Sequence, residues 1–126
     1  MQVLNHENRV FIAQHPSLNP DGTTHAVQVS PCVFMPGFNE IDDKVWAVLK
    51  NWPTFQSALT SGLIEPLSKP IENLLGKDPL AATALIKQTV QTRFLEKWLR
   101  AETREQIKQD LQRQIEALKV KGSNSN

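Results

Sequence analysis

Three histidines, His6, His15 and His25, and a lone cysteine, Cys32, all fall within the first 32 residues of a 126-residue chain. If two strands pair in this region the four side chains could converge, and imidazole with thiolate is a donor set for zinc. Metal sites usually carry closely paired ligands, whereas the spacings here are nine, ten and seven residues and match no such pattern. Asp42-Asp43 offers two carboxylates for acid–base work, yet successive residues at a helix start do not face each other, and capping accounts for both. Cys32 has no basic neighbour and lies in an apolar run, so it reads as a small core hydrophobe rather than a nucleophile. No Gly-rich phosphate loop, Gly-x-Ser-x-Gly elbow or His-Glu-x-x-His segment occurs. These residues predict no catalytic centre, no metal and no cofactor, and the chain reads as non-enzymatic.

The elements that carry these residues fall into two groups. Up to Leu67 there are three basic and six acidic residues, and from Ser68 onward eleven basic and seven acidic. Prolines, glycines, aromatics and β-branched residues crowd the first part, and Leu, Ala, Lys, Glu, Gln and Arg the second. The sequence therefore predicts an α+β chain: a small sheet with two short helices over residues 1–68, then a three-helix segment over 69–126 ending in a polar tail from Gly122. Arg9 to Ala13 and Thr24 to Met35 read as strands, with Pro31 marking an edge or a bulge. His15 to Gly22 between them is dense in turn formers and reads as a protruding loop, with Pro20 and Gly22 at the second and fourth positions of a turn and Leu18 at its tip. Pro36-Gly37 turns the chain into a brief extended return at Asn39-Glu40-Ile41.

Asp42 is placed to cap a helix from Asp43 to about Lys50, and Pro53 suits the first position of a second helix ending before Gly62. Leu63-Ile64-Glu65 reads as a closing strand. In the second part, Asp78-Pro79 opens a helix whose stripe is Leu80, Ala81, Ala84, Leu85 and Val90. Thr92 can cap a helix with Leu95, Trp98 and Leu99 on one face. Thr103-Arg104-Glu105-Gln106 has the form of a capping box, and Ile107, Leu111, Ile115 and Leu118 then form a narrow stripe on the last helix.

Composition narrows the function classes. With 40% hydrophobic and 21% charged residues neither a disordered nor a fibrous chain fits. One cysteine makes no disulfide framework, so a reducing compartment is the easier reading. No apolar run is long enough to span a membrane and the first residues lack a signal-peptide pattern, which predicts a soluble protein not exported by a classical route. A formal net charge of +1 argues against a domain built to grip nucleic acid. The basic residues Arg104, Lys108, Arg113, Lys119 and Lys121 are interleaved with acids, as on a solvated helix face.

What remains is protein contact. The stripe Ile107, Leu111, Ile115 and Leu118 is either completed by another chain, including a second copy of this one, or is internal. The Leu18 loop is either a contact site or a tolerated insertion. Of the three tryptophans, Trp46 and Trp98 lie on apolar helical faces, and Trp52, between Asn51 and Pro53, is the better surface anchor.

The stretch from Val33 to Leu67 carries Met35-Pro-Gly-Phe-Asn-Glu-Ile-Asp-Asp-Lys-Val-Trp-Ala-Val-Leu-Lys-Asn-Trp-Pro-Thr-Phe and then Ser61-Gly-Leu-Ile-Glu. It resembles a pattern of small head-region and minor structural proteins of tailed phages and Mu-like prophages. Ala84 to Leu118, with Phe94-Leu-Glu-Lys-Trp-Leu-Arg-Ala-Glu-Thr-Arg, resembles a second phage-associated helical pattern. The resemblance implies a capsid-associated structural protein of decoration or cement type, partnered by the major capsid protein or other head proteins. Such a protein resides in the virion and, during assembly, in the host cytoplasm. Two alternatives stay open at this point: an assembly accessory absent from the mature virion, and a small DNA-binding regulator.

Overall fold

The computed structural model describes residues 1–124, without the side chains of His25, Ala26 and 121–124. The fold is α+β, with five strands and five helices among the described residues, and the chain divides into two compact units, Met1–Ser68 and Lys69–Asn126.

The first unit holds two separate antiparallel sheets. β1 (Gln2–Asn5) is the central strand of a three-stranded sheet, flanked by β4 (Gly37–Glu40) and β5 (Ile64–Pro66). β2 (Phe11–Leu18) and β3 (Thr24–Phe34) form a two-stranded ribbon of their own. The sequence reading has no strand at Gln2–Asn5. This segment is only four residues long and ends in Asn5, a residue depleted in strands. Asn5 is kept there by its side chain: fully buried, its Nδ2 donates to the carbonyls of Arg9 (3.0 Å) and Phe34 (3.2 Å) while its Oδ1 accepts the Glu7 amide (3.0 Å). One amide group thus ties the first sheet to the base of the ribbon, and its burial is compensated on both ends.

Pro36-Gly37 turns the chain as the sequence predicts, with Gly37 at φ 82°, where a Cβ would be strained. Asn39, also buried, closes that turn by accepting the Met35 amide (2.9 Å) and donating to the carbonyls of Met35 (2.8 Å) and Gly37 (3.0 Å). The chain then enters α1 (Asp43–Leu49), whose first amides, Lys44 and Val45, are accepted by Asp42 Oδ1 at 2.8 and 3.4 Å. α2 (Pro53–Thr60) begins at Pro53 and is followed by Gly62 at φ 80°. Both caps follow the sequence reading.

An aromatic cluster holds the ribbon to these helices. Phe34 stacks on Phe55 of α2 at 5.5 Å and 22°, Phe11 tilts against both, and Trp46 of α1 meets Phe55 edge-on at 5.8 Å and 89°. Val3, Ala13, Cys32, Leu49, Ala58 and Ile64 complete this core.

In the second unit, α3 (Pro79–Gln88), α4 (Thr92–Ala101) and α5 (Glu105–Asn124) form a helical group in which α5 packs on both α3 and α4. Asp78 caps α3 through the Ala81 amide at 2.9 Å. The buried face of α3 is Ala82, Leu85 and Ile86, whereas Leu80, Ala81 and Ala84 are exposed, so the predicted stripe is rotated by about a third of a turn. Its small residues fit either face, and only Leu85 belongs to both readings. α4 buries Phe94, Leu95 and Trp98.

The predicted capping box does not form. Gln106 Nε2 reaches along the helix to Asp110 Oδ1 at 3.3 Å, and the Arg104 amide is accepted by Glu102 at 3.4 Å. α5 runs to Asn124, so the polar tail begins later than predicted, and Ser125 and Asn126 lie outside the described residues.

Candidate functional site

The ribbon corrects the reading of the His15 to Gly22 loop. His15, Pro16, Ser17 and Leu18 belong to β2, with His15 opposite Ser30, Pro16 opposite Val29 and Leu18 opposite Thr24. The connection is only Asn19 to Thr23, closed by Gly22 N–H donating to Asn19 O (2.9 Å), with Pro20 and Gly22 where the sequence places them. The Thr23 hydroxyl and amide both donate to Asp21 and hold its carboxyl below the ordinary value. Leu18 is therefore a half-buried strand end and not a loop tip. Replacing Pro16 to Asp21 with a two-residue turn would cut into the ladder rather than trim a loop.

Pro31 lies in a strand that pairs on one side only, as an edge strand allows, and the irregularity falls elsewhere. Between the pairs Pro16–Val29 and Leu18–Thr24, β2 advances two residues while β3 advances five, so β3 bulges there. Pro16 and Pro31 share the same register parity, Pro31 standing opposite Gln14. In an antiparallel pair alternate residues point their N–H away from the partner, and a proline costs the ladder nothing only at that parity. Each strand thus carries a proline at this parity, a position that donates no backbone hydrogen bond.

The two faces of the ribbon differ in kind. The inner face carries Phe11, Ala13 and His15 opposite Phe34, Cys32 and Ser30, and is mostly buried. The outer face carries Ile12, Gln14 and Pro16 opposite Val33, Pro31 and Val29. Ile12 is 56% exposed, Val33 46% and Val29 63%, and Val27 in the bulge reaches 90%. Between Val10 and Pro36 the one charged residue is Asp21, in the turn. The result is an uncharged, β-branched surface open to water, of the kind that marks contact sites when it exceeds a few hundred Å².

The six contact candidates taken from the sequence fall elsewhere. Ile107, Leu111 and Ile115 are 1%, 0% and 6% exposed on a helix that packs on α3 and α4, so this part of the stripe is internal. Leu118 is half-buried, and Val120 beyond it is exposed. Trp52 is half-buried against the first unit's core rather than presented as an anchor. Ile107, Leu111 and Ile115 line one buried seam of the second unit, and Leu18 and Trp52 belong to the first. Ile12, Val29 and Val33 were missed because alternation identifies two faces of a strand but not which one is inward. The usable signal was the position of Phe34 and Cys32, opposite in parity to Val33 and Val29.

Among the described side chains, the two histidines are engaged structurally. His6 Nε2 meets Glu65 Oε1 at 2.7 Å, and the His15 ring donates through Nδ1 to the Pro16 carbonyl at 2.8 Å. The side chain of His25 lies outside the described residues. Among the described residues no three His, Cys, Asp or Glu side chains are grouped closely enough to hold a metal ion, and no helix is long and apolar enough to cross a membrane.

Burial pushes the Cys32 thiol up to about 11, which removes the thiolate at neutral pH. A thiol reagent is therefore expected to modify Cys32 in the native protein far more slowly than in urea. Because the folded pKa lies above the ordinary value of 9.0, the unfolded chain loses its proton first, and stability falls as pH rises from about 9 towards 11. Urea midpoints across that range check the sign, with Cys32→Ser removing this contribution.

The second unit contains a polar clamp absent from the sequence reading. The Glu102 carboxylate is buried and receives Arg104 Nε at 2.5 Å, while the other guanidinium nitrogens donate to the carbonyls of Lys77 (2.7 Å) and Leu74 (2.6 Å). Arg104 thereby holds the segment leading into α3, and its guanidinium is not offered to phosphate. Of the other basic residues, Arg113 lies 3.8 Å from Asp110. A shallow depression of about 230 Å³ between α3 and α5, lined by Ile86, Lys87, Asp110, Arg113, Gln114 and Ala117, gathers no reactive group.

Comparison of the chain with protein-family models, with curated proteins and with solved structures finds no match.

Proposed function

We propose that this chain is a non-enzymatic minor structural protein of a bacteriophage head, a capsid-associated component of decoration or cement type that acts by protein contact. The observation that carries the reading is the outer face of the β2–β3 ribbon, where Ile12, Val29 and Val33 stand exposed on a surface without charge. A catalytic or nucleic-acid-binding domain concentrates reactive or cationic groups. Here the accessible specialisation is apolar, and apolar area is what protein contacts use.

The phage context is supported by the resemblance of Val33 to Leu67 and of Ala84 to Leu118 to small head-region proteins. On this reading the partners are the major capsid protein or other head proteins, the site of action is the particle, and assembly takes place in the host cytoplasm. Mass analysis of gradient-purified particles and of assembly intermediates tests it. The chain is expected in mature particles at a reproducible copy number. Its presence in intermediates alone would instead make it an assembly accessory, and its absence from both would overturn the structural reading.

A further inference from the structure

We propose that residues 72–77 form a latched strap, which opens and closes on the second unit as a single piece while α3, α4 and α5 stay folded, with Arg104 as the latch. The device lies within the second unit and is independent of the proposed role in a particle. Residues 72–77 belong to no helix or strand, and a segment without a ladder is held by side chains and local turns. Within it only Leu74 is buried, at 0% exposure.

The latch is a planar fork set across one turn. The Lys77 amide donates to the Leu74 carbonyl at 3.0 Å and closes the turn Leu74-Leu75-Gly76-Lys77. Arg104 spans that turn, with Nη2 donating to the Leu74 carbonyl at 2.6 Å and Nη1 to the Lys77 carbonyl at 2.7 Å. On its other edge the guanidinium is fixed by Glu102, with Nε donating to Oε1 at 2.5 Å and Nη2 to Oε2 at 3.2 Å. Because the fork is rigid and both its carbonyls belong to one turn, the two bonds are gained or lost together.

The strap is held at few points and the helices at many. Besides the fork it is tied by the seated Leu74 side chain and by an exposed pair, Glu72 with Lys97 of α4 at 3.2 Å. α5 by contrast buries Ile107, Leu111 and Ile115 where it packs on α3 and α4. Segments with few buried apolar contacts open at a lower free energy than the core. Release also strands no charge: Glu102, whose side chain is 0% exposed, and Arg104 both sit on the connection between α4 and α5, so their pair stays intact when the strap leaves. Opening frees Nη1 and Nη2 of Arg104 from the strap and empties the seat of Leu74. The second unit thus has two states, which differ in whether the chain itself fills this fork and this seat.

Amide hydrogen exchange of the full chain, read residue by residue by NMR at increasing sub-denaturing urea, tests the device. In the wild type the Lys77 amide is expected to exchange through an opening that urea does not change, whereas exchange at Leu111 and Ile115 is slower and accelerates with urea. Arg104→Lys keeps a charge beside Glu102 and loses the fork, and is expected to speed exchange at Lys77 about tenfold or more while leaving Leu111 and Ile115 within about twofold. Glu72→Gln removes only the exposed pair and should change exchange at Lys77 by less than about threefold. A wild-type Lys77 amide that exchanges at the rate of Leu111, with the same urea dependence, makes strap and helices one cooperative body and overturns the proposal. Unchanged exchange at Lys77 in Arg104→Lys overturns the latch, as does a larger effect from Glu72→Gln than from Arg104→Lys. Equal acceleration at Lys77, Leu111 and Ile115 in Arg104→Lys makes that side chain a general support of the unit and also overturns it.

Discussion

Replacing Leu111 with aspartate is expected to unfold the second unit and to leave the first standing. Leu111 is fully buried on α5, between Ile107 and Ile115, where α5 packs on α3 and α4. Truncation to alanine alone costs about 2 to 5 kcal/mol at such a site. A carboxylate there has no cationic partner and adds several kcal/mol more for desolvation. The sum rivals the whole stability of a small domain, roughly 5 to 15 kcal/mol. Hydrogen–deuterium exchange of Leu111→Asp should show residues 79–118 exchanging freely while residues 1–66 keep wild-type protection. Leu111→Ala should lower the denaturation midpoint without loss of the fold. Full protection of residues 79–118 in the aspartate variant would mean that α5 does not pack as described.

Phe34→Ala is expected to have the largest effect on the first unit. Phe34 is fully buried, stacks on Phe55 and joins the ribbon to the helices that carry Phe55 and Trp46. Large-to-small changes of buried aromatics cost about 3 to 5 kcal/mol, which includes the cavity left behind. Val33→Ala, one residue earlier on the opposite face, should change stability by no more than about 0.5 kcal/mol in the monomer. Urea denaturation followed by Trp46 and Trp52 fluorescence measures both. Equal effects from the two substitutions would contradict the assignment of inner and outer faces.

The contrast between Phe34 and Val33 also shows where the sequence is informative and where it stops. Local rules with one dominant residue are legible: Asp42 and Asp78 as caps, Pro53 at a helix start, Gly37 and Gly62 at positive φ, Pro20 and Gly22 in a four-residue turn. Each depends on the backbone needs of a few neighbours, which the residue type states directly. The α+β class follows from the change in composition near Ser68. Features that depend on a distant partner are not legible. β1 is a strand because β4 and β5 flank it, and four residues ending in asparagine give no local sign of that. The pairing of His15 to Leu18 with β3 is likewise settled across the ribbon, whereas their turn-forming residues locally favour a loop.

The candidate site was obscured for a related reason. Ile107, Leu111 and Ile115 form a conspicuous stripe, and a stripe signals burial without saying whether the covering surface belongs to the same chain. The covering surface is α3 and α4. The exposed Val29 and Val33 carry the opposite ambiguity, because β-branched residues in alternation look like a core face. Arg104 looks in the sequence like one more solvated charge, and only its bonds to Glu102 and to the carbonyls of Leu74 and Lys77 reveal its structural role.

We propose that the uncharged outer face of the ribbon, and not the exposed end of α5, carries the contacts of this protein. Copy number per gradient-purified particle tests it most directly, with particles produced in the presence of wild-type chain, of Val29→Lys, or of the double variant Leu118→Ser, Val120→Ser. Val29→Lys is expected to fold but to be depleted from particles at least tenfold, while the α5 double variant is incorporated at the wild-type level. Normal incorporation of Val29→Lys together with loss of the α5 variant would contradict it.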